Sequence, residues 1–445
     1  MRLSQINETL RKIRVSPVRT LGQNFLHDRN LARWIVRQAK ITPNDYVVEI
    51  GPGLGALTAF LLKSGAYVLA IEKDARLAKF LREKFQDQQL EVLHADALQF
   101  DPRTLFAQPQ VKLVGNLPYY VSSQLLLRFI RFPSPISLSV LMLQKEMARR
   151  LTASPSTADY GALTLRVQFH YRIKYLRTVR ATVFLPQPEV DSAVLQITPR
   201  DPWELPECDC DVFQRIVRWG FSQRRKQLRK LFRAEAPDWE KAARTLGFSA
   251  AARAENLSLQ QWVGLTDFIS PRTVSDNGKA GDDLFPVVDE DDQLLGTAPR
   301  AEVHGNNLRH RAVHMLIFND AGEVYLQKRS RHKDRHPLLW DSSAAGHVSA
   351  GEEYDEAARR ELHEELGIDV ALEKLLKLTA AEGTGQEFIW LYRGRHAGKL
   401  RINRNEIEYG EFFPAALVRD WLTARPGDFA PGFAQCWNAY CESIP

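Results

Sequence analysis

The hydrophobic pattern over residues 30–120 switches repeatedly between two periods. NLARWIVRQAK (30–40) spaces its apolar residues as a helix does, whereas VVEI (47–50) is a β-branched strand run. Glycines follow at 51, 53 and 55, and helical spacing returns from Leu57 in LTAFLLKSG. Strand, glycine turn and helix in that order open a dinucleotide-type α/β domain. Without a Cβ, the glycines admit a ligand close to the backbone and permit positive φ. YVLAIE (67–72), LEVLHAD (90–96) and KLVGNLPYY (112–120) read as further strands separated by helical patterns, which predicts a parallel sheet. Gly51, Glu72, Asp96 and Asn116 then stand at consecutive strand C-terminal ends, where open α/β sheets bind ligands. Gly51, Gly53 and Ala56 also fit the loose NAD fingerprint, with Glu72 where a ribose-binding acid belongs.

Residues 207–270 read as a small helical domain, in which FQRIVRWGFSQRRKQLRKLF (213–232) keeps helical apolar spacing throughout. SPRTVSDNGKAGDD (270–283) has no periodicity and the composition of a linker. Beyond it come short strands and turns, then one long helical stretch, and helices that complete a sandwich after residue 400. The predicted class is α/β: a Rossmann-like domain over 1–200, the helical domain over 207–270, a linker over 271–283 and an α/β/α sandwich over 284–445.

Charge sharpens this division. Residues 281–445 hold 19 Lys/Arg against 28 Asp/Glu, while residues 1–280 hold 41 against 26, so the overall +6 conceals a first part at +15. A part this basic is suited to a polyanion. No apolar run reaches membrane-spanning length and MRLSQINETLRKIR lacks a signal-peptide core, so no membrane partner is expected. Cys208, Cys210, Cys436 and Cys441 lack zinc spacing and read as free thiols in a reducing cytoplasm.

The chemistry of the first part gathers at Asn116-Leu117-Pro118-Tyr119. The lone pair of an exocyclic adenine amine is delocalised into the ring. Acceptors that take its hydrogens redirect that lone pair toward a methyl donor. The Asn116 carboxamide oxygen is one such acceptor, and asparagine pairs with adenine edges. The Leu117 carbonyl, held outward by Pro118, is a second. Tyr119 offers a face for an extruded base. The plainer alternative is a proline turn beside a core tyrosine.

Several segments then carry a family resemblance: GQNFL (22–26), VEIGPGLGALT (48–58), IEKD (71–74), HADAL (94–98), GNLPYY (115–120), VFLPQPEVDSAV (183–194), QRRKQLRKLF (223–232) and RAENLS (253–258). Together they resemble the ribosomal RNA adenine dimethyltransferases, the bacterial small-subunit enzymes above all. The resemblance implies S-adenosylmethionine as cofactor, small-subunit rRNA or an immature small subunit as partner, and two adjacent adenosines near the rRNA 3′ end as target. It places Asn24, Leu26, Gly51, Gly53, Glu72, Asp96 and Asn116 around the donor, and Asn116, Leu117, Pro118 and Tyr119 at the target base. Glu189 departs from it, standing where relatives usually carry lysine. In the helical domain Arg224, Arg225, Lys226, Arg229 and Lys230 form the candidate phosphate contacts, a solvated face being the alternative. A large-subunit methyltransferase or a mainly ribosome-assembly factor are the competing readings of this part.

The second part contains GHVSAGEEYDEAARRELHEELGI (346–368), which fits the whole Nudix signature. Glu361, Glu364 and Glu365 lie at i, i+3 and i+4, hence on one helix face. Three such carboxylates call for a hard cation, and Mg²⁺ shared with substrate phosphates is the natural one. Arg360 is placed to pair with a glutamate and hold the preceding loop against the helix, and Gly367 to end that helix. The expected activity is hydrolysis of a small-molecule diphosphate. The flanks resemble the Nudix branch that includes type I isopentenyl-diphosphate isomerase. That resemblance matches His304, His310 and His347 to histidine metal ligands and Glu387 to a carboxylate ligand, unligated histidines being the other reading. It also puts Ala345 where the isomerase needs a catalytic cysteine.

Overall fold

The computed structural model describes residues 3–17, 23–271 and 283–443. The expected linker 271–283, apart from its two end residues, lies outside the described residues, as does Gly22 of GQNFL. The chain forms two compact units, Met1–Arg272 and Thr273–Pro445.

In the first unit, α1 (Leu3–Lys12), β1 (Phe25–Leu26) and α2 (Arg29–Gln38) precede β2 (Tyr46–Ile50), α3 (Thr58–Leu62), β3 (Tyr67–Glu72), α4 (Ala75–Lys84) and β4 (Leu90–His94). β5 (Val111–Asn116), α5 (Ser122–Phe129), β6 (Ile136–Gln144), α6 (Lys145–Thr152), α7 (Ala162–His170), β7 (Tyr171–Val179), β8 (Phe184–Leu185) and β9 (Ser192–Pro199) follow. Seven strands form one sheet in the order β4-β3-β2-β5-β6-β9-β7. The first five run parallel and β9 and β7 antiparallel. Val47, Val68 and Val114 turn to one face, against Ile35 of α2 and Leu61 of α3, while Val48, Leu69 and Leu113 turn to the other, against Leu126 and Phe129 of α5. Burial on both faces is why these strands read as unbroken apolar runs. β4 stops at His94, so Asp96 sits in the loop beyond the strand rather than on its last residue.

α8 (Cys210–Ser222), α9 (Leu228–Leu231), α10 (Trp239–Leu246) and α11 (Leu259–Ile269) surround a core of Phe213, Phe232 and Trp262. Here the structure corrects the continuous helix expected over 213–232. The chain leaves the helix at Gln223, whose φ of −128° and ψ of 58° are not helical, and re-enters it only at Leu228. The Leu228 amide donates to Ala252 O and Gln227 bridges to Arg253, so a tertiary pairing replaces the local one. Leu228 and Leu231 still bury, which preserves the apolar spacing that suggested one helix.

The second unit comprises β10 (Leu284–Val288), β11 (Leu294–Pro299), α12 (Arg300–Gly305), β12 (His310–Phe318), β13 (Glu323–Arg329), β14 (Trp340–Asp341), β15 (Ala344–His347) and α13 (Tyr354–Leu366). β16 (Glu373–Leu378), β17 (Glu387–Arg395), β18 (Ile407–Pro414), α14 (Ala415–Ala424) and α15 (Pro431–Ser443) complete it. β12 lies parallel to β17 and antiparallel to β15. Ala357, Ala358, Leu362 and Leu366 of α13 pack on Val313, Met315 and Ile317 of β12. A separate run of rings links Trp340, Trp421, Phe429, Phe433 and Trp437, with successive centroids 4.8–5.8 Å apart, and ties α14 and α15 to the sheet. The four cysteines are free thiols.

Candidate active sites

At the C-terminal ends of β2, β3 and β5 a cavity is lined by Asn24, Leu26, Gly51, Gly53, Glu72, Asp96, Asn116 and Pro118, together with Tyr120. Gly51 and Gly53 both have positive φ, at 64° and 58°, and a Cβ on Gly53 would meet the Phe25 ring at 3.1 Å. The turn therefore needs glycine for conformation at both positions and for space at the second. Glu72 is 6% exposed; its two oxygens accept from Gly53 N at 3.1 Å and Asp74 N at 2.9 Å. Burial raises its pKa, and these amides resist the rise. Asp96 accepts from Lys73 Nζ at 2.8 Å and from Leu98 N at 3.0 Å, and the Lys73 bond lowers its pKa.

Asn116 ends β5. Its Nδ2 donates to Asn24 O at 3.1 Å, and its Oδ1 is buried with no partner. The backbone of the glycine turn lies close by: a Cβ on Gly51 would stand 3.8 Å from Asn116 O and 4.0 Å from Pro118. The Leu117 side chain is buried in the sheet core and its amide donates to Met142 O, so only its carbonyl remains for a base. Tyr119 shares a hydrogen bond of 2.5 Å with Ser192 Oγ, and Ser192 is fully buried at the start of β9. Burial raises the Tyr119 pKa, the bond to Ser192 opposing it. Nothing in the sequence pattern singles out Ser192, Lys73 or the half-exposed Tyr120; the first is identified by a bond spanning 73 positions.

The basic residues of the helical region divide into two kinds. Arg224 is committed: its Nε donates to Glu255 at 2.6 Å and its NH2 to Ala158 O at 2.8 Å. Arg229 Nε turns to Gln227 Oε1 at 3.1 Å. Arg225, Lys226 and Lys230 are exposed around the turn between α8 and α9.

In the second unit the helix carboxylates take different environments. Glu365 is 2% exposed and accepts from Gln327 Nε2 at 3.0 Å and Ala345 N at 3.2 Å; burial pushes it up to about 7. Glu361 is likewise raised by burial, against the pull of Arg360. Its carboxyl lies over Gly346, where an added Cβ would stand 2.1 Å from it. Glu364 is about half exposed. Arg360 grips both Glu352 oxygens at 2.9 Å and His347 O at 3.0 Å, fastening the loop to α13 as its place in the signature suggests. Gly367 caps the helix at φ 65°, its amide donating to His363 O. Lys333 contacts Glu406; burial lowers its pKa while Glu365 and Glu361 raise it.

The register of β12 against β17 sets His310 beside Glu387, and β15 brings in His347. With His304 of α12 these imidazoles place their ligand atoms within 4.8 Å of one another, the one such group among the described residues. Glu387 Oε1 lies 3.3 Å from His347 Nε2 and 3.5 Å from His310 Nε2. Burial opposes its ionisation, yet these contacts hold it well below the usual carboxylate range. His310 Nδ1 donates to Leu308 O at 2.9 Å, and its buried Nε2 faces the Glu387 carboxylate. Burial pushes His304 and His347 down to about 4, so both are neutral at neutral pH. Neutral imidazoles beside a carboxylate suit a transition-metal cation. His304 Nδ1 faces Arg335 NH1 at 3.1 Å, so His304 joins such a set only once Arg335 withdraws.

A Rossmann-like sheet with an amide oxygen held open beside its glycine turn, followed by a Nudix helix, defines a methyltransferase-type unit joined to a Nudix unit. Residues 17–270 match the family model described as ribosomal RNA adenine dimethylase, and residues 308–433 match the NUDIX domain model. The chain belongs to the ribosomal RNA adenine dimethylase family and is an enzyme fusion with a Nudix hydrolase domain. It is 40% identical over 252 residues to the ribosomal RNA small subunit methyltransferase A of Prosthecochloris aestuarii, covering 56% of this chain and 93% of that protein. The enzyme of the same name from Pseudomonas syringae pv. tomato is 39% identical over 257 residues, covering 57% and 95%. The crystal structure of the 23S rRNA methyltransferase ErmE aligns at 28% identity and a TM-score of 0.47, covering 55% of this chain and 99% of that one. No helix among the described residues is long and apolar enough to cross a membrane.

Proposed function

We propose that the first unit dimethylates two adjacent adenosines near the 3′ end of small-subunit rRNA with S-adenosylmethionine, and that the second hydrolyses a small-molecule diphosphate with Mg²⁺. The observation that carries the first reading is the Asn116 amide, whose tethered Nδ2 leaves Oδ1 buried and unpartnered. A buried acceptor without a partner is costly unless a ligand donates to it, and an adenine amine is such a donor. When bound, the cofactor supplies an electrophilic methyl group on a sulfonium. Glu72, oriented by two backbone amides, takes the ribose hydroxyls, and Asp96 takes the cofactor's adenine amine. Asn116 Oδ1 and the Leu117 carbonyl accept from the target amine, and Tyr119, braced by Ser192, stacks on the base. Arg225, Lys226, Arg229 and Lys230 contact rRNA phosphates, Arg224 serving chiefly as a clamp. The small-subunit target rests on the likeness to the small-subunit enzymes.

In the second unit Glu361, Glu364 and Glu365 hold Mg²⁺, an ion that neutralises a diphosphate and activates water. His310, His347 and Glu387, with His304, hold a second cation. Hydrolysis rather than allylic isomerisation is favoured by Ala345, whose side chain cannot move a proton and whose amide instead supports Glu365.

The test has two arms. The full chain is incubated with S-adenosylmethionine and small subunits lacking the modification, and N6,N6-dimethyladenosine is counted by mass spectrometry. Two adjacent dimethylated residues support the reading; modification of large-subunit rRNA alone, or binding without methyl transfer, replaces it. The full chain is also screened with Mg²⁺ against diphosphate metabolites, isopentenyl diphosphate included. Dimethylallyl diphosphate formed at an enzymatic rate would overturn the hydrolase assignment.

A further inference from the structure

The helix α2 has two unlike sides. Leu31, Ala32, Ile35 and Val36 bury against the sheet, while Arg29, Arg33 and Arg37 are exposed at i, i+4 and i+8. At 1.5 Å per residue this sets three guanidinium groups about 6 Å apart along one line. The line continues onto β7. Arg177 lies over the Trp34 ring of α2 at 5.4 Å, and Gln196 donates to Gln38 O at 3.3 Å. Lys174 is paired in register with that same Gln196. Neither α2 nor β7 contains an acidic residue. The nearest carboxylate in sequence, Asp28, is spent on the amides of Asn30 and Leu31 as the helix cap. Among the described residues no carboxylate pairs with Arg29, Arg33, Arg37, Lys174 or Arg177. At the head of the line, Arg29, Lys63 and Lys84 border a cavity of about 190 Å³.

Solvated charged faces ordinarily mix both signs, since repulsion between like charges four residues apart is destabilising. On the same strand Arg172 pairs with Glu204, but a stripe of five cations that pair with no acid costs stability, and a bound polyanion offsets that cost. We infer that this face is a second rRNA-binding surface, separate from the turn between α8 and α9, which takes the phosphodiester backbone of the substrate RNA. Phosphate binding of this kind fixes register without reading sequence. The inference rests on the rRNA reading above, and α2 begins at residue 29, three positions after the cavity-lining Leu26. RNA entering that pocket therefore has the stripe within reach.

Replacing Arg29, Arg37 and Lys174 by glutamine leaves both cation–π pairs of the face, Arg33 with Phe60 and Arg177 with Trp34, intact. Binding of a labelled 3′-terminal small-subunit rRNA hairpin to the full chain is measured by anisotropy across a salt series. Removing one cation from a phosphate lowers the slope of log K against log salt by about 0.7–0.9, so the triple variant should reduce the slope by roughly 2. Cofactor affinity by calorimetry should not change. A separate variant, Arg225→Gln with Lys226→Gln and Lys230→Gln, tests the rRNA reading itself. If that variant lowers the slope and the α2/β7 variant does not, the inference falls, and an unchanged slope with weakened vesicle or acidic-protein binding equally overturns it. If the wild-type chain neither binds nor methylates the RNA, the rRNA reading is what fails.

Discussion

Asn116 and Glu49 show how burial assigns roles to single residues. Asn116 places one polar atom on a backbone carbonyl and leaves the other for a ligand. Asn116→Ala removes that acceptor, and removal of one orienting hydrogen bond at a reacting centre commonly costs about 10²–10³ in rate. Single-turnover methylation by the variant should fall by that factor while cofactor affinity holds; near-normal dimethylation would deny Asn116 its role. Glu49, 1% exposed on β2 and part of the lining of the same cavity, accepts from Thr58 Oγ1 at 2.6 Å. Burial pushes it up to about 8, against the pull of the Thr58 bond. An acid raised in the folded state keeps its proton there while the unfolded chain releases it above about 4.5. Its contribution is therefore most favourable below that value, declines as pH rises toward 8, and is level above. Glu49→Gln abolishes this titration. The unfolding midpoint of the first unit, read against that of the variant, should decline between pH 5 and 8; parallel curves would mean that Glu49 is ionised throughout.

At the scale of elements, the approach of β15 to α13 and the break between α8 and α9 each make a distinct demand. β15 passes so close to α13 that position 346 has no room for a side chain beside Glu361. Gly346→Ala must displace the Glu361 carboxyl, and a misplacement near 1 Å can cost about 100-fold. Mg²⁺-dependent hydrolysis should drop by that order with little change in melting temperature; retained kcat would show that Glu361 need not lie where it does. The basic turn separates two functions that adjacent arginines share in sequence. Arg224→Ala removes a partly exposed ion pair worth about 0.2–1 kcal/mol and a hydrogen bond to a carbonyl, so it should lower stability slightly and leave the salt dependence of RNA binding nearly intact. Arg225→Ala should do the reverse, and a chevron or urea titration paired with anisotropy separates them.

At the scale of the whole molecule, the chain carries two units, each with its own core and its own candidate site. Independent sites predict independent losses. Glu365→Gln should abolish diphosphate hydrolysis and leave rRNA methylation at the wild-type rate, and Asn116→Ala should do the opposite. Both rates measured on both full-length variants check this; a fall in methylation in the Glu365 variant would reveal coupling between the units.

What the sequence determined is what local periodicity and short spacings encode. The strand–glycine–helix opening, the row of positions at or just past strand ends at 51, 72, 96 and 116, and three carboxylates on one helix face all follow from a period of two, a period of 3.6 and a few fixed intervals. The structure gathers Gly51, Glu72, Asp96 and Asn116 around one cavity because parallel strands share a C-terminal edge. What tertiary structure alone decided are the partners. Asn116 meets a carbonyl 92 positions away, Tyr119 a serine 73 away, and Arg224 a glutamate 31 away. His310 and Glu387 become neighbours only through the parallel register of β12 and β17. The helix expected through 213–232 breaks because Leu228 finds Ala252 instead of its own turn. A hydrogen bond between distant segments depends on register and packing, and both are set by the burial of whole faces at once, which no local pattern carries.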